Sequence, residues 1–286
     1  MNKYEYILRS ISKIKHKEWE LFVISRIVHR ILDLDIEFVC QQLVRRSGGN
    51  RSLTDLYFPQ FRIHLEVDEP PHETELAKKI DAIRSNDIID STGHIIERIK
   101  AIQDVDRSKI SLSHVVKETD KFIDMILMER SKQLVSKAFE PWDFESRYDP
   151  QRYIDKKKLD TADGCAFRTH RDALRCFGYT KGHLQAAAWQ LPDGTNRRVW
   201  FPKFYENDGW DNSICPHGKT ITQKSKLGKA DSTKEGREAG RIVFAHYTDT
   251  LGKTLYRFLG FFEFDEKASI DPLTTVFQLR SNVVNL

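Results

Sequence analysis

A chain of 286 residues is long enough for two domains of ordinary size. Its 40% hydrophobic and 31% charged residues fit a folded globular protein and exclude a disordered one. No run approaches the ~18 apolar residues of a membrane span, and the polar N-terminus has no apolar signal core, so a soluble protein is expected. The net charge of +4 permits a polyanionic partner without requiring one. Four scattered cysteines (Cys40, Cys165, Cys176 and Cys215) show neither CxxC nor finger spacing, which points to reduced thiols and away from structural zinc.

Ile7, Ile11, Ile14, Leu21, Ile24, Ile27, Val28 and Ile31 recur at helical spacing and predict a helix over 3–32. Lys13, Lys15, Lys17, Arg26 and Arg30 decorate the rest of it; a solvated face and a phosphate-contacting face read equally well there. Residues 36–44 read as a strand and 47–50 as a loop.

The stretch TDLYFPQFRIHLEVDEPPH (54–72) then carries the chemistry. With period two, Phe61, Ile63, Leu65 and Val67 share one face of a strand, while Arg62, His64, Glu66 and Asp68 share the other. Pro59-Gln60 is a plausible turn to an earlier strand carrying Asp55. A tight turn there sets Asp55 opposite His64 and diagonal to Glu66, roughly 7–8 Å away. Glu69, a Pro-Pro bend and His72 follow. Alternation of this kind also describes a plain sheet with one wet face. The like charges at 66, 68 and 69 repel one another, however, and burying several acids without a cation is costly. A metal shared by these carboxylates resolves that repulsion.

Residues 74–92 read as a helix ending at Gly93, 94–100 as a strand, and 112–137 as a long helix with Val115, Thr119, Phe122 and Ile126 in step. The order defines an α/β domain, a mixed sheet with helices, over residues 1–139. At Glu140 the composition changes. Tryptophans and tyrosines become more frequent, strands are expected at 198–205, 241–247, 254–265 and 274–285, and a short helix at 167–177. Gly218–Gly240, rich in Lys, Ser, Thr and Gly, reads as a long loop. Residues 140–286 thus form a β-rich second domain.

The first half resembles the very-short-patch-repair (Vsr-like) branch of the PD-(D/E)xK nucleases through Asp55, the run Glu66-Val67-Asp68-Glu69, His72 and KKIDAIRSNDIIDSTGHIIERIK (78–100). Adding FVCQQ (38–42), TDLYFPQ (54–60), PWDFE (141–145), FRTHRDALRCFGY (167–179), VWFPKFYENDGWDNS (199–213) and TLYRFLGFFEF (254–264), the whole chain resembles restriction endonucleases of the AbaSI type. These join a Vsr-like nuclease domain to an SRA-like domain that recognises 5-hydroxymethylcytosine and its glucosylated form.

The resemblance implies a bacterial, cytoplasmic, metal-dependent DNA endonuclease that flips the modified base out of double-stranded DNA and cuts at a distance. Asp55 becomes the main metal ligand, with Asp68 beside it and Glu66 and Glu69 supporting. Oxygen ligands favour Mg²⁺, with Mn²⁺ as a substitute. The motif lysine falls at position 68, where this chain has Asp68, so His72 is the group expected to orient or deprotonate water. Tyr148, Trp210 and Asn212 are carried over as the pocket for the modified base, whereas Trp142 and Trp200 read as core. No residue aligns with the acid that relatives offer to the base, and the choice between Glu235 and Glu238 stays open. One site cuts one strand, which implies a homodimer for a double-strand break. A Vsr-like nicking repair enzyme and a non-catalytic reader of modified DNA are the competing functions.

Overall fold

The computed structural model describes residues 3–11, 13–14, 17–45, 49–68, 88–102, 108, 110–144, 146–182, 186–228 and 234–286. The chain divides into two compact units. One comprises Met1–Arg147 with Thr250–Gly252, and the other Tyr148–Asp249 with Lys253–Leu286.

In the first unit the expected N-terminal helix is two helices, α1 (Lys3–Ile11) and α2 (Glu18–Ile31). Lys17 takes an extended conformation (φ −127°) at the start of α2, which resets the chain direction. Four strands follow in spatial order: β1 (Val39–Arg45), β2 (Arg51–Phe58), β3 (Ile63–Asp68) and β4 (Ile95–Lys100). β2 runs antiparallel to both β1 and β3, and β4 runs parallel to β3. Helix α3 (Leu112–Val135) begins at Ser111, whose side chain accepts the His114 N–H. Its buried stripe of Val115, Phe122, Ile123 and Ile126 meets Val23, Ile24 and Ile27 of α2 and Leu56, Phe58, Ile63 and Leu65 of the sheet in one core. Each such side chain taken out of water contributes about 1.5–3 kcal/mol. Arg26 grips both oxygens of Asp120 at 2.9 and 2.8 Å and ties the two helices together.

The β2–β3 register corrects one expectation. His64 faces Tyr57 rather than Asp55, because the connection is four residues long, 59–62, rather than a tight turn at Pro59-Gln60. Arg62 closes it in the left-handed region (φ 57°). The polar face of β3 is not wet either: His64 and Glu66 are both buried.

The second unit is β-rich. Its main sheet runs β7 (Ala188–Gln190), β8 (Arg197–Trp200), β11 (Gly240–Thr248), β12 (Thr254–Phe264), β13 (Thr274–Ser281), β10 (Thr220–Ser225) and β9 (Trp210–Ile214), with β6 (Ala166–Phe167) paired to β12. Only β8 and β11 pair in parallel among these. Strands β5 (Lys158–Asp160) and β14 (Val283–Asn285) form a separate pair. Short helices α4 (Gln151–Lys156), α5 (His170–Arg175) and α6 (Lys234–Glu238) fill the connections. Two apolar clusters, one around Phe167, Phe201 and Phe244 and one around Trp200, Phe262 and Phe277, make the core.

Here too the sequence reading needs correcting. The stretch Gly218–Gly240 is not one loop, because it contains β10 and α6. Within TITQKS only Ile221 and Ser225 are buried, so the strand carries little apolar signature and is held by its neighbours β9 and β13. Trp210 and Asn212 lie on edge strand β9. Trp142 and Trp200 are core residues, each 3% exposed.

Candidate active site and base-reading surface

The site in the first unit is built where α2 begins beside β1, β2 and β3. The β1–β2 ladder pairs Cys40 with Leu56 and Gln42 with Thr54, which sets Gln41 across from Asp55, yet that pair is missing from the ladder. Gln41 instead takes a left-handed conformation (φ 54°), a cost for a residue with a Cβ. Its side-chain Nε2 donates to Glu20 Oε1 at 2.5 Å and approaches Asp55 Oδ1 at 3.3 Å. Lys17 Nζ bridges the same two acids, at 2.5 Å from Glu20 and 3.2 Å from Asp55. The other oxygen of Asp55 accepts the Val67 N–H at 2.8 Å, so the carboxylate ties β2 to β3 just beyond the last regular pair, Leu56–Leu65.

Glu20 is fully buried, and its carboxyl is pushed up to about 7, first by burial and then by the charge of Asp55. Two acids therefore share one lysine and one amide. The donor set is hard oxygen around a single cationic position, which fits Mg²⁺ or Mn²⁺ better than a soft metal. Lys17 supplies the positive charge that such an ion would bring.

Glu66 and Asp68 are organised separately. Arg98 on β4 donates to Glu66 Oε2 at 2.7 Å and to Asp68 Oδ1 at 2.6 Å. Glu69 and His72 lie outside the described residues, as does the expected helix 74–92 except for its final stretch, 88–92, which is helical. Among the described residues no group of three or more His, Cys, Asp or Glu side chains is set to hold a metal. Asp55 thus meets Glu20 here, while Asp68 meets Arg98.

His64 belongs to a packed stack. Its Nδ1 lies 2.8 Å from Thr54 Oγ1 and its Nε2 lies 3.0 Å from His94 Nδ1. Tyr57 stacks on both rings, at 4.1 and 5.4 Å. Burial, reinforced by His94, drives the His64 ring down to about 3, so it stays neutral.

Sequence reasoning missed Glu20, Gln41 and Lys17. A signal existed for Glu20, because it falls in step with Val23, Ile24 and Ile27 at positions i, i+3, i+4 and i+7. An acid on the core face of a helix needs a partner. Gln41 lies inside FVCQQ, but nothing in the string foretells its left-handed backbone.

In the second unit, Tyr148 has its own cationic neighbour, and Asn212 stands at the end of a run of polar and aromatic contacts that begins at His170. The Arg168 guanidinium lies 4.8 Å from the Tyr148 ring. His170 packs against Phe201 and Tyr256, Tyr256 stacks on His246 at 4.3 Å, and His246 Nδ1 lies 2.8 Å from the hydroxyl of exposed Tyr205. Asn212 Nδ2 donates to the Lys203 carbonyl at 3.3 Å, and Lys203 bridges to His246. Asn212 Oδ1 is buried and has no hydrogen-bond partner among the described residues. A buried amide oxygen without a donor fits a ligand that brings one. Trp210, half-buried, lies two residues away on the same side of β9. Register places Gln223 directly across from Asn212. Glu235 and Glu238 lie instead on α6.

These two arrangements correspond to two family models. Residues 4–129 match the model described as restriction endonuclease PvuRts1 I-like, N-terminal, and residues 152–286 match the SET and RING associated (SRA) domain. The chain is therefore a DNA endonuclease domain joined to an SRA domain. A solved structure, "The 5-Hydroxymethylcytosine-Specific Restriction Enzyme AbaSI", is similar over 99% of this chain and 97% of that one, with 34% identity and a TM-score of 0.71. The chain belongs to the AbaSI family of modification-dependent restriction endonucleases. No curated protein matches it. Among the described residues no helix is long and apolar enough to cross a membrane.

Proposed function

We propose that this endonuclease recognises 5-hydroxymethylcytosine, free or glucosylated, in double-stranded DNA and hydrolyses the backbone at a distance with the help of Mg²⁺ or Mn²⁺. The observation that carries the substrate is the 34% identity over almost the entire chain with an enzyme specific for that base. The orphaned Asn212 Oδ1 supports it, being an acceptor suited to the amino or hydroxyl donor of the base.

Asp55 and Glu20 are the acids that would hold the ion, and Asp68, Glu66 and Glu69 are the supporting acids proposed from the sequence. The metal, when bound, polarises the phosphate and lowers the pKa of attacking water. The protein's part is positional. Val67 N–H and Gln41 fix the Asp55 carboxylate before substrate arrives, and Arg98 pairs with Glu66 and Asp68. His72 is the proposed group for orienting or deprotonating the nucleophile. In the reader half, stacking on Trp210 and Tyr148 offsets the few kcal/mol that base flipping costs. A homodimer supplies the second site needed to cut both strands.

The test is digestion of otherwise identical duplexes carrying plain, methylated, hydroxymethylated or glucosylated cytosine, each with Mg²⁺ and with chelator. Cleavage is expected only of the hydroxymethylated or glucosylated DNA with Mg²⁺. Equal cutting of plain DNA sinks the substrate assignment, and cutting in chelator sinks the metal.

A further inference from the structure

The strand position that holds lysine in the wider nuclease superfamily is Asp68 here, and Arg98 already binds it. The cation touching the Asp55 carboxylate comes from elsewhere: Lys17, at the N-cap of α2, places Nζ on both Glu20 and Asp55. We propose that Lys17 is a built-in substitute cation, which neutralises the Glu20–Asp55 pair until a divalent ion displaces it and then turns its ammonium to the phosphate being cut. This inference rests on the metal-dependent reading above and adds a role for a residue outside the β-hairpin.

Three observations carry it. Lys17 is the cationic side chain that touches both acids of the site, and its short contacts are to carboxylate oxygens a divalent ion would claim. Its side chain is nearly half exposed while Glu20 is sealed, so the lysine has an exit and the acid has none. Lys17 also makes no side-chain cap hydrogen bond, so α2 does not depend on it to begin. Charge balance explains the exchange. Two carboxylates in a low-dielectric pocket require about one compensating cation, and a divalent ion supplies more charge than an ammonium at the same spot. The displaced ammonium remains tethered within a side chain's length of the site, where a phosphate carries negative charge that increases during hydrolysis.

The experiment measures Mn²⁺ binding by electron paramagnetic resonance and, separately, cleavage of hydroxymethylated duplex, for the wild type, Lys17→Met and Lys17→Arg. Lys17→Met is expected to bind Mn²⁺ about 10-fold more tightly, because it loses the competing charge, and yet to cut ~100-fold more slowly. Lys17→Arg is expected to keep near-wild-type Mn²⁺ affinity and to cut slowly. Lys17→Gln, which keeps a donor without the charge, is measured alongside and is expected to follow Lys17→Met. Unchanged Mn²⁺ affinity in both neutral variants, with the wild type binding normally, overturns the substitute-cation role and leaves the metal reading intact. Wild-type protein that binds no Mn²⁺ yet cuts overturns both.

Discussion

Gln41 sits across the β1–β2 ladder from Asp55 and reaches its Oδ1 with the side-chain amide at 3.3 Å. It does so from a left-handed backbone (φ 54°), which costs a residue with a Cβ roughly 1–2 kcal/mol. Strain kept beside an acid pair is explained by what the side chain does there. Gln41→Gly relieves that cost and removes the amide contacts, two effects of opposite sign. The expected outcome is a denaturation midpoint near that of the wild type together with cleavage at least ~10-fold slower. A fully active variant would assign Gln41 a structural role alone.

Asp55 separates folding from turnover. Asp55→Asn keeps an acceptor for the Val67 N–H, so the hairpin survives, while the charge at the site is lost. Cleavage is expected to fall ~100-fold or more with affinity for modified duplex unchanged, read by gel shift and single-turnover digestion. Normal cutting by this variant would remove Asp55 from the site.

The His64 stack makes the first unit sensitive to acid. The ring titrates near 3 in the folded chain, below its ordinary 6.5. Between those values the unfolded chain binds a proton that the folded chain does not. Stability from this group is therefore complete above 6.5 and is lost as pH falls toward 3, with a slope of up to about 1.4 kcal/mol per pH unit. Urea denaturation from pH 7 to pH 4 should show this slope, and His64→Phe should flatten it. An identical slope in both proteins refutes the account.

Base reading rests on Asn212 and Trp210. Replacing Asn212 by Leu removes the orphaned acceptor and should weaken binding to hydroxymethylated duplex by about 1–3 kcal/mol, roughly 5- to 150-fold. Binding to plain duplex should hardly move. Trp210→Ala is expected to lose affinity for modified DNA by a similar factor. Fluorescence anisotropy on matched duplexes checks both, and equal losses on plain and modified DNA would mean that neither residue reads the base.

Gly260 tests the frame of the second unit. Its φ of +115° lies where side chains are disfavoured, and an added Cβ would meet the Ser281 carbonyl at 2.5 Å and Leu279 at 2.7 Å. Gly260→Ala should destabilise the protein by at least ~2 kcal/mol, because both backbone conformation and close packing resist it. A shift of under ~0.5 kcal/mol in denaturation would show that the β12–β13 contact yields easily.

The amino-acid string by itself determined the α/β order of the first half, the β-rich second half and the membership of Asp55, Glu66 and Asp68 in adjacent strands. These are local matters, set by apolar period and turn chemistry over a few residues. Which acids meet was decided by tertiary structure. Moving His64 from Asp55 to Tyr57 needed only a longer turn, and bringing Glu20 and Lys17 to Asp55 required the start of α2 to pack against a residue 38 positions beyond Lys17. The same holds for β9 and β10, whose sparse apolar residues become strands only when β13 supplies an edge to β10 and β10 supplies one to β9. Period and propensity act between neighbours in sequence, whereas a site is made by the side chains that burial forces together from far apart.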